Sequence, residues 1–102
     1  MEPFINLSKE DFISALQTNP QNVIIDVRNP DEFQLGHFDT AVLVPFDHPD
    51  FIAKMSDFDP NGEYFVYCKS GARGSKACLM LRSMGFQGKI YHLDGGFESL
   101  KS

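Results

Sequence analysis

Short apolar runs alternate with amphipathic stretches along the chain. Val23-Ile24-Ile25-Asp26-Val27, Ala41-Val42-Leu43-Val44, Tyr64-Phe65-Val66-Tyr67 and Lys89-Ile90-Tyr91 are each short, rich in β-branched or aromatic residues, and bounded by turn formers. Runs that are apolar at successive positions predict strands covered on both faces, the habit of parallel sheets. Phe4-Ile5-Asn6 is a weaker fifth strand at the start.

Helix signals fill the intervals. Ser8 reads as an N-cap with Asp11 three residues on, and Leu7 and Phe12 occupy the two positions of a hydrophobic staple. Phe12, Ile13 and Leu16 then mark one face, and Asn19-Pro20 stops the helix. Asn29-Pro30-Asp31-Glu32 combines a cap, a first-position proline and an acidic first turn, opening a short helix that ends by Gly36. Another begins at Asp47 or His48 with Phe51, Ile52 and Met55 inward, and the last runs from about Gly74 to Met84. Its middle, Ala77-Cys78-Leu79-Met80-Leu81, is apolar nearly all round and is expected to be deeply buried. Gly85 follows with Phe86 placed to reach back to Leu81, as in a Schellman motif. Strands alternating with helices predict an α/β domain with about five strands in a mostly parallel sheet and helices on both faces.

Composition narrows the function. The 102 residues suffice for one domain and carry nine Lys+Arg against fourteen Asp+Glu, a formal charge of −5. That balance argues against nucleic acid as a partner, since such binding rests on clustered cations. A small anion remains possible, because local donors outweigh a modest global charge. No apolar run approaches the ~20 residues a membrane span needs, so no membrane partner is expected. The start shows neither a basic region nor a long apolar core, so no leader is expected. The two cysteines, Cys68 and Cys78, suggest no disulfide framework. These signs together point to a cytoplasmic protein.

The chemistry concentrates in Tyr67-Cys68-Lys69-Ser70-Gly71-Ala72-Arg73-Gly74-Ser75. A strand ends, a cysteine follows at once, and a short glycine-containing loop enters a helix. Ligands of open α/β sheets bind beyond the carboxyl ends of the strands. A strand–loop–helix turn aims backbone N–H groups and the positive end of the helix dipole at one point. An anion fits there, and so does a thiolate on Cys68, helped by Lys69 and Arg73. The reading requires main-chain amides facing a sulfur that is open to solvent.

At these residues the chain resembles a single-domain rhodanese over most of residues 1–102. The resemblance is carried by Ile25-Asp26-Val27-Arg28, Asp31-Glu32-Phe33, Gly36-His37, the Cys68–Arg73 loop, Gly85-Phe86 and Asp94-Gly95-Gly96-Phe97, in that order. It implies a sulfurtransferase in which Cys68 takes a sulfane sulfur from thiosulfate or a similar anionic donor and carries it as a persulfide. The amides of Lys69, Ser70, Gly71, Ala72 and Arg73, with the Arg73 side chain, would hold the anion. A cyanide-like or thiol acceptor, including a protein thiol, would remove the sulfur, with no cofactor. Related cysteine phosphatases and arsenate reductases resemble a loop one residue longer, which disfavours that alternative. A module that keeps the fold and only binds a partner is the third reading. Gly74 departs from the Ser or Ala usual at the helix entry, and Ser75 is expected to share the capping.

Other residues have plainer readings. Asp26 and Arg28 are expected to form a structural network, with Arg28 meeting Glu32. His37 is expected to anchor a loop, Cys78 to pack in the core, and Gly95-Gly96 to make a tight turn. His48 and His92 form no metal pattern with the cysteines, so no metal is expected.

Overall fold

The computed structural model describes residues 2–19 and 21–101. It contains β1 (Ile5–Leu7), α1 (Lys9–Thr18), β2 (Val23–Asp26), α2 (Pro30–Leu35), β3 (Val42–Leu43), α3 (Phe51–Met55), β4 (Tyr64–Tyr67), α4 (Ala72–Ser83) and β5 (Ile90–Leu93), followed by a 3₁₀ turn at Phe97–Lys101. The sheet order is β1-β5-β4-β2-β3, and every recorded pairing is parallel. β4 therefore lies at the centre, and its carboxyl end delivers Cys68 to the middle of one sheet edge.

Alternation along the strands builds a core on each face. Ile25, Val27, Tyr64, Val66, Cys68 and Ile90 pack with Phe51 and Met55 of α3 and Ala77, Cys78 and Leu81 of α4. On the other face Ile24, Phe65, Tyr67 and Leu93 pack with Phe12 of α1. Helices on both faces explain why β2 and β4 are apolar at consecutive positions.

The local signals act as their chemistry requires. Ser8 Oγ accepts from the Asp11 amide, and Asn29 forms a full capping box with Glu32. The Phe86 amide donates to the Leu81 carbonyl and Gly85 to Arg82, closing the Schellman motif of α4. The proline stop at Pro20 lies outside the described residues.

Several expectations shift. α4 starts two residues early, at Ala72, because Gly71 serves as its N-cap. Ser75 is thus inside the helix, and its hydroxyl donates back to the Ala72 carbonyl instead of capping. α3 forms only from Phe51, and Ile52 stands half exposed, since so short a helix buries one narrow face. Leu79 is likewise half exposed, because the buried face of α4 runs through Gly74, Ala77, Cys78 and Leu81. β5 reaches Leu93, its polar His92 having masked the continuation.

Candidate active site

The loop after β4 is held from below and above. Cys68 and Lys69 offer their carbonyls to the amides of Phe97 (2.7 Å) and Glu98 (2.9 Å). Gly96 makes this clamp possible. Its φ is +66°, and a Cβ there would stand 2.6 Å from the Cys68 oxygen and overlap the Lys69 carbonyl. The Gly95-Gly96 turn is thus tight, as expected, but it is also the base on which the loop backbone rests. Sequence reasoning missed that second role, for which the only sign was two adjacent glycines at a strand end.

Above the clamp, the Gly71 amide donates to Cys68 Sγ at 3.0 Å. Gly71 reaches this position with φ +113° and then starts α4, its own carbonyl accepting from Ser75. The N-cap amide of α4 is therefore the donor set against the sulfur. Cys68 itself is fully buried, which corrects the expectation of a solvent-open sulfur, and among the described residues the recorded donor to it is the Gly71 amide alone rather than a set from Lys69 to Arg73. The cover is thin: Lys69, Ser70 and Ala72 are exposed and Gly71 and Arg73 partly so.

Arg73 pairs with Glu32 of α2. Its two terminal nitrogens donate to the two Glu32 oxygens at 2.9 and 3.1 Å. This pairing raises the Arg73 pKa and, more than any other influence, lowers that of Glu32. Glu32 is therefore not the partner of Arg28, as the chain pattern suggested. Arg28 folds back onto Asp26 in a buried pair at 2.7 Å and donates to the Gly36 carbonyl at 2.6 Å. Its guanidinium lies 4.5 Å from the Phe97 ring centroid, which stacks in turn on Tyr67. Burial opposes the Arg28 charge, but the Asp26 carboxylate outweighs it and the pKa rises. Burial, followed by Asp26, pushes the Tyr67 hydroxyl well up. The network is structural, as expected, with a different partner.

Two openings flank the loop. A groove of about 720 Å³ is lined by Asn6, Ser70, Gly71, Ala72, Ser75 and His92, among others. A smaller one of about 240 Å³ on the other side meets Arg28, Glu32, Leu35, Lys69, Phe97 and Lys101. Cys68 lines neither, in keeping with its burial. His37 stacks on Phe33 and its Nδ1 lies 2.7 Å from the Phe33 carbonyl, an anchor for the α2 end. Cys78 is in the core, and burial pushes its thiol well up. Among the described residues no three His, Cys, Asp or Glu side chains gather to hold a metal ion, and no helix is long and apolar enough to cross a membrane.

A doubly covered parallel sheet with a cysteine loop at the end of its central strand defines the class. The family model for the Rhodanese-like domain matches residues 8–102, and the chain belongs to that family. Membership supports sulfurtransferase-type chemistry at the level of the family. The chain is 34% identical over 92 residues to the tRNA uridine(34) hydroxylase of Sodalis glossinidius, a match covering 86% of this chain and 26% of that protein. It thus spans about a quarter of the length of the curated relatives it matches. The solution structure of a rhodanese-like domain from Anabaena sp. superposes with a TM-score of 0.82 at 28% identity, covering 99% of this chain and 74% of that one. A rhodanese-like domain protein from Staphylococcus aureus shares the fold with a TM-score of 0.82 at 23% identity, covering 94% and 90%.

Proposed function

We propose that the chain is a sulfurtransferase that carries sulfane sulfur as a persulfide on Cys68. The observation that carries the reading is the Gly71 N–H donating to Cys68 Sγ at the head of α4. The thiolate is the nucleophilic form of a cysteine, and this N–H is a donor placed against the sulfur. In the first step the Cys68 thiolate attacks the outer sulfur of thiosulfate. The new S–S bond forms as the old one breaks, and sulfite leaves with the electron pair. In the second, cyanide or a thiolate takes the outer sulfur and returns Cys68 as thiolate, which is covalent catalysis in two halves.

The amides of Lys69, Ser70, Gly71 and Ala72 and the Arg73 guanidinium bind the anion. The Glu32 pair uses two of the five guanidinium N–H groups and leaves three for a ligand. Because Cys68 is buried, the exposed side chains of Lys69 and Ser70 must move aside for a donor to reach the sulfur. The free cysteines accord with a reducing, cytoplasmic setting.

The relatives' name supplies a second reading, a rhodanese-like unit that serves a tRNA-modifying activity. The charge of −5 weighs against this chain holding RNA by itself.

Intact mass analysis after incubation with thiosulfate tests the first reading. A one-sulfur, reductant-labile adduct is expected on the protein and not on Cys68→Ser, with Cys78→Ala unchanged. No adduct with thiosulfate, polysulfide or a persulfide donor would remove the enzymatic reading and leave a binding module.

A further inference from the structure

His92 stands on β5 beside β4 with 3% of its surface exposed. Its Nδ1 lies 2.7 Å from Asn6 Oδ1, within hydrogen-bond distance. Nε2 is buried, and among the described residues it has no hydrogen-bond partner. An unpaired buried polar atom is unfavourable and needs a compensating reason. Burial keeps the imidazole neutral by lowering its pKa, with the Asp94 charge and the Gly71 backbone acting the other way.

The compensation lies in what the ring supports. A Cβ built on Gly74 would fall 2.5 Å from Nε2 and 2.8 Å from Cδ2 of His92, and 3.4 Å from the Cys68 amide nitrogen. The imidazole therefore occupies the place of a side chain at Gly74. Its Cε1 lies 3.7 Å from where a Gly71 Cβ would stand. One ring thus fills the side-chain space of Gly74 and borders that of Gly71, the cap of α4 whose amide donates to Cys68 Sγ.

We propose that His92 is a positioning residue for Cys68. Locked to Asn6 at one edge, its imidazole is the seat of the Gly71–Gly74 turn, and Gly74 is side-chainless because His92 fills that space. The proposal rests on the reading of Cys68 as the reacting atom. The pair is complementary in volume, so each single change damages the seat and the two together restore it. His92→Asn is the chosen partner variant, since its amide retains a group at the Nδ1 position for Asn6 while vacating the space against α4.

The test is a cycle of Gly74→Ala, His92→Asn and the double variant in the full chain. Two readouts are compared, the rate of Cys68 sulfur loading from thiosulfate and the hydrogen-exchange protection of the Gly71 amide, which reports its bond to Cys68 Sγ. A displaced reacting group loses roughly tenfold or more in rate, so each single variant is expected to fall by that much. Each also loses Gly71 protection, and the double variant returns both readouts toward wild type. A purely structural His92 would lower melting temperature without changing Gly71 protection relative to neighbouring amides, and that result overturns the proposal. So does a double variant no better than either single one. If Gly74→Ala does not fold, recovery of the double variant over His92→Asn decides alone. If the wild-type chain loads no sulfur, the proposed function fails, while Gly71 protection still reads the seat.

Discussion

Gly96→Ala places a methyl group against main chain that cannot swing away. The new Cβ would overlap the Lys69 carbonyl and lie 2.6 Å from the Cys68 oxygen. Two effects follow. Holding alanine at φ +66° costs about 1–2 kcal/mol. Relieving the overlap moves the turn off the loop and breaks the Phe97 and Glu98 amide bonds to Cys68 and Lys69, each worth about 0.5–1.5 kcal/mol net. The expected loss is about 2–5 kcal/mol, or roughly 10 °C or more in Tm. Gly85→Ala is the control, since Gly85 also has positive φ (+100°) but, among the described residues, no atom within 4 Å of the added Cβ. It should lose only the conformational part. Urea denaturation of both variants, with sulfur loading of Cys68 measured alongside, separates the close approach from the backbone cost. If Gly96→Ala is no less stable than Gly85→Ala and loads sulfur normally, the clamp described here does not position the loop.

Asp26→Asn leaves the Arg28 charge buried and uncompensated, still tethered to the Gly36 carbonyl and the Phe97 ring, and should cost about 3–5 kcal/mol in urea unfolding. Glu32→Gln should change stability by only about 0–1 kcal/mol, because the Arg73 pair is partly open to solvent. The same change frees the guanidinium of its counter-charge, so the KM for thiosulfate should fall, by roughly two- to tenfold for attraction of that size; a rise in KM would contradict anion binding at Arg73. His92 supplies a pH signature. Its folded pKa is depressed, so below the unfolded value of about 6.5 the unfolded chain binds a proton that the folded chain refuses. Stability from this group is complete at neutral pH and falls on acidification, by up to about 1.4 kcal/mol per pH unit, until the folded pKa is reached. His92→Asn should show a smaller drop in urea midpoint between pH 7.5 and 5.5 than wild type, and an equal drop would place the acid sensitivity elsewhere.

Where a feature depends on neighbours in the chain, the pattern was sufficient to read it. The caps at Ser8 and Asn29, the Schellman ending at Gly85-Phe86 and the buried strands Val23–Asp26 and Tyr64–Tyr67 all follow from spacing, because their hydrogen bonds and periodicities span a few residues. The Cys68–Arg73 loop was legible for the same reason, as a strand end, a cysteine and a helix start in succession.

Partnerships between distant segments were not legible. Asp26 and Glu32 both offered Arg28 a carboxylate within a few residues, and only the packing of α2 against the α4 terminus gave Glu32 to Arg73. His92 read as an isolated polar residue until β1 brought Asn6 to one edge of its ring and α4 brought Gly74 to the other. Burial of Cys68 was likewise a tertiary outcome, set by the fold of the loop over it. A chain encodes local geometry in adjacent residues, but which charges pair and which atoms lose water depends on surfaces that meet only after the sheet has assembled.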